Sequence, residues 1–339
     1  MPYIATQQTQ PAIGDLWHDK WNPPALVEPS LHGLTVLITG ANTGVGFQAA
    51  IKLVMLGAAK VIIAVRSLAK GEAAKEQIEQ VTGKTGVVDI FELDMLDYSS
   101  IRAFADKINC LGRLDVAILN AGIGAPEYAQ SKYGWEKTLQ VNVISTTFLA
   151  LLLLPKLRAS KTSSHTPVLE LVSSSMHFHV TRMASDGDSG PLSIYNREET
   201  FDMRITYNVS KLLLEYAHAT LTRLATSSRT GKPDVIVVSV CPGATKSDIT
   251  RDVTSLATRT TLLVFSLLQR QTEEGSRSYI SGLTLGDKRH GKFWSNDSIK
   301  EISPLLAGDE GKRMEETVWE EIVAALRKDV PEIDEVIRG

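Results

Sequence analysis

The chain has 339 residues, room for two average domains or for one large α/β domain with extensions. Its 36 Lys and Arg nearly balance 39 Asp and Glu, a net charge of −3, which excludes the clustered basic excess of a nucleic-acid binder. Hydrophobic residues make up 43%, ample for a core, and the two cysteines, Cys110 and Cys241, exclude a disulfide scaffold and lack metal-ligand spacing.

Residues 1–33 read as an extension: Gln- and Pro-rich, without a period, and with Trp17 and Trp21 four apart. A strap over the domain surface is the expectation. This segment has neither the basic start nor the apolar run of a secretory signal. No uninterrupted stretch of about 18 apolar residues occurs, so no membrane span is expected and a cytoplasmic location is the default.

From Leu34 short apolar runs alternate with helix-like stretches. The runs are Val36–Thr39, Val61–Val65, Val87–Leu93, Val116–Leu119, Val168–Val172 and Val235–Val240. Nearly continuous apolar runs of this length predict buried parallel strands. Helices are predicted over about 45–57, 69–81, 99–109, 134–158 and 206–227. The alternation implies βαβ crossovers and an α/β fold with a doubly wound, mostly parallel sheet. One domain over 34–300 is expected, with loops at 178–206 and 248–290 that choose the substrate. A late strand is predicted near 291–294. The tail, 301–339, should carry a docking helix, because Met314, Val318, Ile322, Ala325 and Leu326 form one apolar stripe.

The first run ends in Thr39-Gly40-Ala41-Asn42-Thr43-Gly44-Val45-Gly46 and a helix follows directly. A glycine-rich turn between strand and helix brings backbone N–H groups and a helix N-terminus to a pyrophosphate. Gly40 would make the turn, Gly44 the close approach and Gly46 the helix–strand contact, with Thr43 and Val45 beside the phosphates. The second run ends at Arg66, 20 positions beyond Gly46, where an acidic residue would favour NAD. A guanidinium there favours the 2′-phosphate of NADP(H), and Lys70 offers a second cation.

Three Tyr-x-x-x-Lys spacings occur: Tyr128/Lys132, Tyr133/Lys137 and Tyr207/Lys211. On a helix this spacing sets an ammonium beside a phenol and can lower its pKa towards working pH. Ser173-Ser174-Ser175 follow the fifth run, where a hydroxyl can bond a developing oxyanion.

The spacing TGxxxGxG, with Asn120-Ala121-Gly122 and Tyr207-x-x-x-Lys211, resembles the short-chain dehydrogenase/reductase family over about residues 34–300. The resemblance implies a Rossmann-type fold and an NADP(H)-dependent enzyme that interconverts a carbonyl compound and an alcohol. It implies Tyr207 as acid/base, Lys211 as its activator, Ser174 as the carbonyl-orienting hydroxyl with Ser173 and Ser175 as alternatives, and Asn142 in a proton relay. Asp94, Asn120, Gly122, Pro242, Gly243, Thr245 and Ser247 match positions that line the cofactor. His177 and His179 flank the serine turn, with a satisfied polar residue the blander reading of each.

Arg66, Lys70, Gly71 and Glu72, and the separation of 33 residues from Ser174 to Tyr207, are similar to the retinol-dehydrogenase-like branch. The polar, Pro-rich start is similar to soluble fungal secondary-metabolite reductases. Family resemblance also implies a homodimer or homotetramer through helices 134–158 and 206–227, unless the added termini cover that face. Two other functions share this fold: a tailoring isomerase or cyclase, and a non-redox NADP-binding sensor. Nothing implies a metal.

Overall fold

The computed structural model describes residue 17 and residues 19–184, 187, 189–246, 266–284 and 286–338. Among them, eight strands form one sheet: β1 (Thr35–Thr39), β2 (Lys60–Val65), β3 (Val88–Glu92), β4 (Val116–Leu119), β5 (Val168–Val172), β6 (Ile236–Cys241), β7 (Lys292–Ser295) and β8 (Ser298–Lys300). The order across the sheet is β3-β2-β1-β4-β5-β6-β7-β8. All neighbours are parallel except β8, which returns antiparallel along β7. Strand order reverses between β1 and β4, the place where an open α/β sheet leaves a ligand crevice.

The helices are α1 (Gly44–Met55), α2 (Leu68–Thr82), α3 (Tyr98–Asn109), α4 (Lys137–Ala159), α5 (Pro191–Tyr195), α6 (Met203–Leu224), α7 (Thr272–Gly282), α8 (Gly308–Arg327) and α9 (Ile333–Arg338). They cover both faces of the sheet, because alternate strand residues point to opposite sides. In β1, Leu37 enters a core shared with α3, α4, α6 and α8, whereas Val36 and Ile38 enter one shared with α1 and α7. Each fully buried Val, Leu or Ile contributes about 1.5–3 kcal/mol against solvent exposure. Local chemistry sets the helix starts. Asp97 accepts from Ser99 N, and Asp202 accepts from Arg204 N and Ile205 N, each a side-chain oxygen on first-turn donors.

α4 is long and apolar enough to cross a membrane, but 89% of its most apolar window is buried inside the protein. That is the pattern of a core helix, and there is no clear membrane span. Its second turn, Gln140–Ser145, is a π-helix. The Thr146 hydroxyl donates to the Val141 carbonyl (2.8 Å) within this widened turn.

The tail forms α8, and Val318, Ile322, Ala325 and Leu326 are buried in the first core. Tyr216 of α6 donates to the Leu305 carbonyl (2.7 Å) and Thr220 to Glu315 (2.8 Å). α8 runs along α6 and α9 reaches α4. The two helices expected to meet a partner subunit therefore meet the chain's own tail. The stripe on the tail is visible in sequence; the surface it seeks is not. Residues 247–265, which fall largely within the second loop expected to choose the substrate, lie outside the described residues.

Candidate active site

At the end of β1 three glycines meet three different demands. Gly40 adopts φ +68°, and a Cβ there would stand 3.1 Å from Ala121 Cα. Gly44 adopts φ +65° with open space before it. A Cβ on Gly46 would stand 2.5 Å from the Asn120 Nδ2. Thr43 precedes α1 in extended conformation without capping it, and no acidic residue occupies the first turn. The first-turn amides of Gly44, Val45 and Gly46 thus form an uncapped, positive helix end. These features fit a dinucleotide pyrophosphate.

Arg66 follows β2, is exposed, and makes no hydrogen bond or ion pair among the described residues. Lys70 is exposed in the first turn of α2. Neither cation has a side-chain hydrogen bond or ion pair among the described residues. Asp94 closes the turn after β3 by accepting from Leu96 N (2.9 Å). Asn120 ties the glycine turn to the sheet: its Nδ2 donates to Thr39 O (2.8 Å), and its Oδ1 accepts from the Tyr279 hydroxyl (2.9 Å).

The reaction end gathers at the carboxyl ends of β4, β5 and β6. The three serines after β5 separate cleanly. Ser173 is buried, and its hydroxyl has no hydrogen-bond partner among the described residues. Ser175 directs its N–H and hydroxyl to the Cys241 sulfur (3.2 and 3.3 Å). Ser174 accepts from Met176 N (3.2 Å) and lies against the Tyr207 side chain, where its hydroxyl favours the ionised phenol. His177 takes part through the backbone: its Nδ1 lies 2.7 Å from the Ser174 carbonyl, and its ring packs against Phe178 and Phe293.

Lys211 is buried one turn beyond Tyr207 and donates to the Val172 carbonyl (3.0 Å), with its Nζ 5.7 Å from the centre of the Tyr207 ring. Burial pushes this ammonium down to about 8, against the opposing pull of Cys241 and Glu215. Burial raises the Tyr207 phenol above its ordinary value, and the Ser174 bond only partly opposes it. Phenol and ammonium are thus brought towards each other by one turn of helix, while the ammonium spends a proton on the chain end of β5.

Asn142 sits in the π-turn of α4. Its Oδ1 accepts from Ile123 N (2.9 Å), and its Nδ2 donates to Ile123 O (2.9 Å) and to the Ser210 hydroxyl (3.0 Å). Both amide protons are therefore engaged. The widened turn aims this side chain at the loop after β4, where a Cβ on Gly122 would stand 3.2 Å from Asn142 Oδ1 and 3.7 Å from Lys211 Nζ. Gly122 keeps that corner open. Among these groups only Asn142 bridges α4 to α6.

The other two Tyr–Lys pairs serve loops. Tyr128 donates to Asn196 O (2.9 Å), whereas Tyr133 donates to Asp97 (3.0 Å) and stacks on Tyr98. After β6, Gly243 adopts φ +74°, and its N–H donates to Cys241 Sγ (3.3 Å). Thr245 turns its hydroxyl back to Pro242 O (3.0 Å) and packs against Gly275. That hydroxyl staples the loop. Ser247 lies outside the described residues. The hub that sequence reading missed is Cys241: its sulfur joins the serine turn to the Pro242-Gly243 loop, and a lone cysteine at a strand end carries no local signal of it.

Comparison with known proteins places this arrangement. A family model described as short chain dehydrogenase matches residues 34–180. The short-chain dehydrogenase/reductase ffsI of Aspergillus flavipes is 38% identical over 337 residues, 98% of each chain. The short-chain dehydrogenase/reductase phmF of Phaeosphaeria nodorum is 40% identical over 326 residues, 95% of each chain. Among solved structures, the NADPH-bound carbonyl reductase from chicken fatty liver superposes with a TM-score of 0.57 at 21% identity, covering 80% of this chain and all of that one. At that identity the likeness is one of fold.

Proposed function

The chain belongs to the short-chain dehydrogenase/reductase family and is an oxidoreductase, and from that premise we propose an NADP(H)-dependent enzyme that interconverts a ketone or aldehyde and an alcohol. The substrate is a medium-sized apolar molecule, of the kind found among secondary-metabolite intermediates. The observation that carries this reading is the meeting of Ser174, Tyr207 and Lys211 at the strand ends beside Gly122.

Gly40, Thr43, Gly44, Val45 and Gly46 hold the pyrophosphate on backbone amides and the α1 dipole. Arg66, with Lys70, takes the 2′-phosphate, where a free guanidinium can form two parallel charge-assisted bonds. Asp94 and Asn120 flank the adenosine side, whereas Gly122, Pro242, Gly243 and the Thr245–Ser247 stretch flank the nicotinamide. Bound there, the reduced cofactor supplies a hydride.

The protein supplies the rest. Ser174 donates to the substrate oxygen and orients it. Tyr207 gives its proton to that oxygen as it becomes an alkoxide, and takes the proton back when the reaction runs towards the carbonyl. Lys211, as an ammonium, stabilises the tyrosinate that this leaves. Asn142 holds the loop after β4 and Ser210 in register with the pair, where a relay to solvent begins.

The test is loss of nicotinamide absorbance when the enzyme and NADPH meet a panel of apolar ketones and aldehydes. Turnover of at least one compound, abolished in Tyr207→Phe, is expected. Turnover that survives the substitution would overturn the assignment of the acid.

A further inference from the structure

Arg270 lies just ahead of α7 with its side chain fully buried, 0% exposed. No carboxylate forks it. Its Nε donates to Asp19 O (2.5 Å), its Nη2 to Asn22 O (3.0 Å) and its Nη1 to Asn296 Oδ1 (2.7 Å); Asp19 Oδ1 stands 3.7 Å from Nη2. Asn296 in turn donates to Asp19 Oδ1 (2.8 Å), and Asp297 accepts from Ala25 N (2.5 Å). Asn296 and Asp297 form the β7–β8 turn with φ +49° and +54°. Two side chains held in the left-handed region are thus used as fasteners on the N-terminal segment.

On its other side Arg270 holds the loop after β6. Its N–H donates to Ala244 O (2.8 Å), and its carbonyl accepts from Lys246 N (3.0 Å). A Cβ on Gly243 would stand 2.4 Å from Nη1, so the guanidinium lies against the glycine backbone. Burying a guanidinium is costly unless its donors are met, and its donors form a rigid plane. They are met here by Asp19, Asn22 and Asn296, while the backbone of Arg270 pairs with Ala244 and Lys246 and its guanidinium rests on Gly243, so one residue ties the N-terminal segment and the 296–297 turn to the 242–246 loop.

We infer that Arg270 is a positioning residue for the nicotinamide end of the site, clamping the Pro242–Lys246 loop to the N-terminal strap and the β7–β8 turn. The strap is in this sense part of the site's wall. This rests on the reading of that loop as the nicotinamide end. Arg66, at the opposite end, does not touch the clamp.

Two variants test it. Arg270→Met removes the hub. Asn296→Gly removes the amide that joins Arg270 to Asp19, and it suits a backbone already at φ +49°. NADPH affinity should fall about tenfold in both, while adenosine 2′,5′-bisphosphate, which has no nicotinamide, should bind unchanged. In turnover kcat should fall, since misplacing the ring acts on hydride transfer. Amide hydrogen exchange should quicken at Ala25, Lys246 and Arg270 in the Asn296→Gly protein. Unchanged exchange, or equal weakening of both ligands, would overturn the inference. If the wild-type protein bound neither ligand, the cofactor reading would fail, and exchange alone would decide whether the clamp exists.

Discussion

At the proposed nucleotide end, Gly40, Gly44, Gly46 and Arg66 come from one continuous β–α–β stretch and are left open: an uncapped helix end and an exposed guanidinium that is unpaired among the described residues. At the proposed reaction end, Ser174, Tyr207, Lys211, Asn142 and Cys241 come from four separate elements and are packed together, with Asn142 bonded to Ser210, Cys241 to Ser175 and Lys211 to the Val172 carbonyl. The first end, in the proposed reading, meets a charged ligand and can be altered one residue at a time. The second depends on a shared geometry, so a change at one residue spreads through its partners.

Tyr207→Phe should break the reaction end most completely. It removes the transferable proton and should lower kcat about 10³-fold while NADPH titrations stay unchanged. Ser174→Ala should follow, at about 10²-fold in kcat, whereas Ser175→Ala, whose hydroxyl points to Cys241, should lose far less. Equal losses for the two serines would mean that the turn acts only through its backbone.

Lys211 offers a pH test. Its value falls from an ordinary 10.5 to about 8 on burial. Between those values the unfolded chain binds more protons than the folded one, so the folded state gains stability as pH rises through the window. In chemical denaturation the stability of wild type relative to Lys211→Met should therefore rise by about 3 kcal/mol between pH 8 and 10.5, and below pH 8 the difference between the two proteins should stay constant. Gly46→Ala should cost about 2 kcal/mol in the same assay, because the new methyl displaces the Asn120 amide from Thr39.

The two ends also differ in how well they can be read from sequence. Buried parallel strands are continuous apolar runs, and a glycine turn lies next to the strand and helix that it joins, so the parallel strands and the Gly40–Gly46 turn are legible locally. Strand β8 is not: Ser298–Lys300 is three residues long, and its pairing follows from the left-handed Asn296-Asp297 turn. Neither is the π-turn around Asn142, which arises from packing. Choosing among Ser173, Ser174 and Ser175 required knowing which hydroxyl faces Tyr207. Arg270 reads in sequence as one more arginine before a helix; its partners lie about 250 positions away at Asp19 and Asn22.

The most direct test is titration of wild type and Arg66→Asp with NADPH and with NADH. The account predicts tight NADPH binding by wild type, weakened about 100-fold by the substitution, with NADH binding held or improved, because the new carboxylate repels a 2′-phosphate and accepts from a ribose hydroxyl. Equal affinity of both proteins for NADPH, or binding of neither nucleotide to the wild type, would contradict it.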